Sequence, residues 1–156
     1  MKIWIAALGS RASGTYESLA GTYLQRCAPL VAGPGVKEAI TDRLFRSEAA
    51  FWDAVEGERS RTAPVIVLLD ESGRQMDSEA FAGWLGRQRD EGKQLLIFAL
   101  GPADGWSEAS KQRAALLLSL SAMTMAHELA RVVICEQLYR ALTILAGHPY
   151  HRGKQK

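Results

Sequence analysis

The residues able to do chemistry gather in the last quarter of this chain, residues 119–151. Ser119, Ser121 and Thr124 bring three hydroxyls into a short segment that also holds Leu120, Ala122, Met123 and Met125. Arg131, Glu136, Tyr139 and Arg140 follow along a mostly apolar stretch, and Pro149, Tyr150 and His151 lie just beyond Gly147. Hydroxyls clustered in a turn either cap the next helix or hydrogen-bond a bound ligand. Arginine presents a planar fork of donors suited to phosphate or carboxylate. A tyrosine ring can stack on an unpaired base, and a histidine can hold or take a proton near neutral pH. Plainer roles stand beside these. Glu136 and Arg140 are four apart and can pair on a solvated helix face, His127 can bond nearby backbone at a helix start, and His151 can be a solvated tail residue.

Such residues need elements to position them. The run of residues 2–8 is a first strand, too short and too soon ended by Gly9 to be a signal peptide. Tyr16, Leu19, Ala20, Tyr23, Leu24 and Cys27 recur at helical spacing, which predicts a helix over residues 15–27 that Pro29 helps to end. Residues 33–35 read as a turn and residues 36–40 as a weak or edge strand. Ser47 is expected to cap a helix carrying Phe51 and Val55, and Ser78 another carrying Phe81 and Leu85 that Gly92 closes. Residues 65–69, 95–100 and 115–120 are apolar throughout and read as buried strands. Ser107 starts a short helix, and residues 126–146 form the long last one, ended by Gly147 and Pro149. Strands without polar alternation must be covered on both faces, so this β-α-β-α order predicts an α/β fold with a mostly parallel sheet and helices on each side. Ligands bind such sheets beyond the carboxyl ends of the strands, where Leu69-Asp70-Glu71, residues 101–105 and residues 120–125 would lie.

At 156 residues and 47% hydrophobic, the chain is expected to form one domain over 1–156 without disulfide or metal support. Cys27 and Cys135 both fall in apolar helical patterns, which makes them core residues of a reducing compartment, the cytoplasm by default. No apolar run approaches the ~20 residues of a membrane span. A net charge of +2 permits a polyanionic partner without demanding one. The locally basic segment is the tail, residues 151–156, equally readable as a solvated terminus.

Several motifs fail. Gly9 and Gly14 have the spacing of a phosphate loop, but Thr15 stands where the essential lysine would be. No dinucleotide fingerprint follows a strand, and no Gly-x-Ser-x-Gly marks a nucleophile elbow. His148 and His151 straddle Pro149 with no further ligand pair, so no metal is expected.

Taken together, residues 69–73, 100–105, 119–127, 136–141 and 149–151 resemble the ribosomal large-subunit pseudouridine N3-methyltransferase family of the knotted SPOUT class. The similarity runs from the first strand to Arg152, thin over residues 28–60 and dense from Leu69 onward. The resemblance implies a C-terminal trefoil knot, a homodimer and S-adenosyl-L-methionine as methyl donor. The implied substrate is a pseudouridine in a stem-loop of 23S rRNA, methylated at N3 on assembled ribosomes. It further implies that Leu69, Gly101, Leu120, Ser121, Ala122, Met123, Thr124 and Met125 hold the donor. His151 is expected as general base or base-orienting group, Tyr150 as a base-stacking ring, and Arg131 and Arg140 as phosphate contacts or supports of the site across subunits. Two residues depart from the family pattern: Pro102 replaces a common second glycine, and Ala126 a frequent proline. Another RNA such as tRNA, or a catalytically silent RNA-binding relative, is the alternative.

Overall fold

Successive residues of the central strands enter two different cores, one on each face of the sheet, which explains why these strands are apolar throughout. The computed structural model describes residues 1–9, 14–32 and 39–152. In β1 (Lys2–Leu8), Ile3, Ile5 and Ala7 join one core, and Trp4, Ala6 and Leu8 join another on the opposite face of the sheet. β4 (Leu95–Leu100) divides the same way, Leu96 and Phe98 against Ile97 and Ala99. The first core is closed by α1 (Thr15–Ala32), α3 (Ser78–Asp90) and α5 (His127–Ala146), the second by α2 (Glu48–Glu56) and Trp106. Each strand residue is thus buried whichever way it points.

The sheet has five strands in the order β2-β1-β4-β3-β5, with every pair parallel. Here β2 is Ile40–Phe45, β3 is Val65–Gln75 and β5 is Leu116–Ser119; α4 is Glu108–Arg113. The α/β reading with helices on both faces therefore holds. β3 outruns its expected end at Leu69. Its residues 70–73 leave the ladder and return, so that Leu118 of β5 faces Leu69 and then Arg74, and Ser119 faces Gln75. At Gly73 the two backbones are so close that a Cβ would sit 2.6 Å from the carbonyl of Leu117. Only glycine fits there.

Several local expectations are corrected. Pro29 does not end α1, which continues to Ala32 because Leu30 and Val31 pack on the core beside buried Cys27. The strand expected at residues 36–40 is displaced to β2, which shares only Ile40 with it; residues 36–38, like the turn at 33–35 and the end of the basic tail at 153–156, fall outside the described residues. Asp77, not Ser78, caps α3, accepting from the amide of Ala80 at 2.7 Å; the Ser78 hydroxyl donates instead to Gln137 on α5 at 2.7 Å. β5 is an edge strand, and only Leu118 and Ser119 are fully buried in it. Ser47, Ser107 and Gly147 do the expected capping, Gly147 with φ of 72°. Cys27 and Cys135 are free and buried; burial pushes both thiols up, Cys135 to about 12, which keeps them protonated and inert.

Candidate cofactor site and the cluster beyond it

Because the strands are parallel, β3, β4 and β5 release their chains at the same end of the sheet. A cavity of about 640 Å³ opens there, within the range that receives a small ligand. Leu69, Leu100, Leu118, Leu120 and Met125 give it apolar walls, and Asp70, Ser119, Ser121, Thr124 and His127 give it polar ones. The turn after β5 is self-bonded. The Ser119 hydroxyl donates to the carbonyl of Ser121 at 3.0 Å, and the Ser121 hydroxyl accepts from the amide of Met123 at 2.9 Å. These bonds shape the turn. Ala126 then starts α5 at φ of −57° with no side-chain cap. That angle is the one proline would impose, so this departure from the family pattern leaves the backbone course unchanged.

The opposite wall is the segment 101–106. Gly101 is required at its base, since a Cβ there would lie 2.7 Å from Nε1 of Trp106. Trp106 is buried, and its indole N–H has no partner among the described residues. The carbonyl of Pro102 accepts from the amide of Gly105 at 2.9 Å, closing the turn that Pro102 enters. Ser107 and Ser110, at the start of α4, both donate their hydroxyls to Glu48 of α2. Burial alone would push the Glu48 carboxyl up, but the hydrogen bonds from Ser110 and Ser107 outweigh it and hold the group below its ordinary 4.5.

Of the eight residues expected around the methyl donor, Leu69, Gly101, Leu120, Ser121, Met123, Thr124 and Met125 line this cavity, and Ala122 does not. Met123 stands at the mouth, 78% exposed. The four expected catalytic residues lie elsewhere. Arg131 is only 8% exposed and reaches Glu17 of α1 at 3.2 Å and Asp42 of β2 at a shorter distance, which makes it a tie between three elements and takes it off any solvated face. Inside this chain its guanidinium is bound to those carboxylates.

Arg140, Tyr150 and His151 form a second cluster around Glu136. Its carboxylate accepts from Arg140 at 3.0 and 2.6 Å and from the Tyr150 hydroxyl at 3.0 Å, so the expected Glu136 and Arg140 pair is present. The Tyr150 ring meets Tyr139 edge-on at 4.7 Å, and the Arg140 guanidinium lies 4.9 Å from its centroid. Burial and the Glu136 carboxylate push the Tyr150 phenol up to about 12, so it remains a donor at any physiological pH. Nδ1 of His151 lies 3.1 Å from Arg140, which can only donate; Nδ1 therefore accepts, and a neutral ring carries its proton on Nε2, which faces Glu79 at 3.6 Å. The acceptor nitrogen of His151 is thus already occupied. Along α5, Ala130 at the cavity and Glu136 at the centre of the cluster are six residues apart, a rise of about 9 Å, and none of Arg140, Tyr150 and His151 lines the cavity. Among the described residues no group of three His, Cys, Asp or Glu could hold a metal ion, and no helix is long and apolar enough to cross a membrane.

Sequence reasoning passed over Trp106 and Glu48. The signal for the first was a tryptophan directly after the Gly105 turn, where a large ring has to pack on something; Glu48 stood in the segment of thinnest resemblance.

The family described as "Predicted SPOUT methyltransferase" matches residues 1–151. The chain is 44% identical over 153 residues to ribosomal RNA large subunit methyltransferase H of Koribacter versatilis (strain Ellin345), covering 98% of this chain and 99% of that one. It is 43% identical over 162 residues to the protein of the same name from Rhizobium meliloti (strain 1021), covering 98% and 100%. Among solved structures, a probable methyltransferase from Bordetella pertussis Tohama I superposes with a TM-score of 0.54 at 12% identity, covering 90% of this chain and 94% of that one. The SpoU methyltransferase AviRb from Streptomyces viridochromogenes, solved with AdoMet, gives 0.51 at 17% identity; 94% of this chain is covered, and the chain spans 59% of that protein's length. At these identities the two structures attest the fold alone. A parallel sheet opening into one cavity at the ends of β3, β4 and β5, in a sequence matched almost end to end at 44% identity, makes this chain a SPOUT methyltransferase of the ribosomal RNA large subunit methyltransferase H family.

Proposed function

We propose that this enzyme methylates N3 of a pseudouridine in a stem-loop of 23S rRNA within the ribosome, using S-adenosyl-L-methionine, as a cytoplasmic homodimer. The observation that carries the reading is the cavity. Seven of the eight residues expected to hold the donor surround one volume of about 640 Å³ in a chain closely related to a large-subunit RNA methyltransferase.

The residues present fit that donor. Leu69, Leu100, Leu118 and Leu120 suit the faces of an adenine, the turn of residues 120–125 and the Gly101 segment supply backbone donors and acceptors, and Asp70 adds a carboxylate for hydroxyl groups. When bound, the donor supplies an electrophilic methyl group on a sulfonium. The chain's own task is then positioning and charge management, since methyl transfer needs an in-line nucleophile and little covalent help. The uracil imide must lose its N3 proton, which passes to water, and groups that stabilise the resulting anion aid that loss. Arg140, held by Glu136, offers fixed positive charge, His151 offers its Nε2–H, and Tyr150 offers a ring face for the base.

Two features support a dimer. None of Arg140, Tyr150 and His151 lines the cavity of its own chain, and a second copy would offer its cluster to that cavity. Tyr16 and Leu19 on α1 and Leu129 on the adjoining α5 are exposed, as is Met123, an apolar set that a second copy would cover.

Mass mapping of 23S rRNA from cells with and without the gene tests the activity: a 14-dalton loss at one pseudouridine is expected on deletion, and an unchanged map would refute it. Sedimentation of the purified protein at the mass of one chain would refute the dimer. Gly101→Ala is expected to weaken donor binding about tenfold in calorimetry, because the new methyl group drives the Trp106 ring out of place. His151→Ala is expected to lower kcat about tenfold with donor affinity intact, a split that assigns the residue to the RNA side of the site.

A further inference from the structure

The wall that carries Gly101 and Trp106 has no strand pairing of its own, and its hold comes from a helix outside the cavity. Glu48 and Trp52 are four apart on α2, hence on one face of it. Glu48 accepts from the Ser107 hydroxyl at 2.8 Å, from the Ser107 amide at 3.3 Å and from the Ser110 hydroxyl. The Trp52 indole donates to that same Ser110 oxygen at 2.8 Å, in a buried setting. Between them Phe51 packs on Trp106 with ring centroids 5.6 Å apart. Ser107 meanwhile caps α4, accepting from the amide of Ser110. Every one of these hydroxyls both donates and accepts, so the network is closed and fixes one geometry.

We infer that Glu48 is a positioning residue for methyl-donor binding: from α2 it holds Ser107 and Ser110, and through them sets the Trp106 ring against Gly101 in the cavity wall. Glu48 does not line the cavity, and its influence passes wholly through the serines. Removing the carboxylate frees two hydroxyls and an amide at the start of a helix of six residues, too short to hold its place alone. The segment 101–106 then loses its fixed end.

This inference rests on the cavity being the methyl-donor site, and the test separates the two. In calorimetry on the full chain, Glu48→Ala is expected to weaken S-adenosylmethionine binding about tenfold, the scale of one charge-assisted hydrogen bond. Glu48→Gln keeps an acceptor oxygen and is expected to return affinity to within about threefold of the parent. In turnover, KM for the donor rises with Glu48→Ala, and kcat at saturating donor stays within about twofold. Without any ligand, the indole N–H resonances of Trp52 and Trp106 in a ¹⁵N-labelled protein should both move in Glu48→Ala while the remaining dispersion is kept. Parent-like affinity in Glu48→Ala, a loss that Glu48→Gln fails to repair, or an unmoved Trp106 indole would each overturn the inference. A parent protein that does not bind the donor at all would instead sink the reading of the cavity, and the ligand-free indole shifts would still decide whether Glu48 sets the wall.

Discussion

Gly73→Ala is expected to lose about 3 kcal/mol of stability, read as a fall of about 10 °C in Tm. The added methyl would meet the carbonyl carbon and oxygen of Leu117 at 2.6 Å and the amide nitrogen of Leu118 at 2.8 Å. All three are backbone atoms, so no rotamer change relieves the contact. β5 cannot retreat either, because β3 holds it on both sides of the excursion, at Leu69 and again at Arg74. Gly83→Ala is the matched control. It lies inside α3, where the nearest atom to its Cβ is the flexible end of Arg87 at 3.7 Å, and alanine there should gain about 0.5–1 kcal/mol from helix propensity. Equal thermal unfolding of the two variants would show that the close approach of β3 and β5 is not needed by the fold.

Arg131→Met should cost a similar amount, about 3 kcal/mol in urea unfolding. One nitrogen of the guanidinium serves Glu17 and another serves Asp42, so a single buried side chain ties α1 and β2 to α5. Methionine fills the space but removes the fork of donors through which α5 holds the carboxylates of Glu17 and Asp42. Arg131→Lys is expected to recover only part of the loss, because one ammonium cannot reproduce a fork directed at two partners. Full recovery by lysine would mean that charge alone, without geometry, holds the three elements.

How far these features could be read from the sequence follows from what determines each. The strands at 65–69 and 95–100 were legible because burial on two faces demands an unbroken apolar run, and the caps at Ser47 and Ser107 because they depend on residues three apart. Arg131 left a trace that was open to a sharper reading. It sits among Leu129, Ala130, Val132, Val133, Ile134 and Cys135, and an arginine inside a helix apolar on nearly every side has to be paired. Pro29 misled because core packing overrides one lost hydrogen bond in a last turn. The return of β3 onto Leu118 was not legible at all: residues 70–73 are polar and glycine-containing, which reads as a loop, and the pairing joins segments more than forty residues apart. The residues expected to hold the donor were placed by resemblance in advance of any geometry, and the cavity gathers all of them but Ala122. The same resemblance could not reveal that Arg140, Tyr150 and His151 stand outside it, farther along α5 and beyond, since matching motifs carry order along the chain and not distance. It was also silent about Glu48, whose neighbours lie where the likeness is thin.

The cavity has a further consequence in time. Its walls come from residues 69–72, 100–106 and 118–130, in that order of synthesis, so none of it is complete until most of the chain has been made. A ligand that needs all three walls cannot guide early folding. Its binding energy acts as a last latch, adding stability by mass action only after β5 and the first turn of α5 have docked. The turn at residues 120–126, largely exposed in the empty enzyme, is therefore expected to be cut more slowly by a protease once the site is filled.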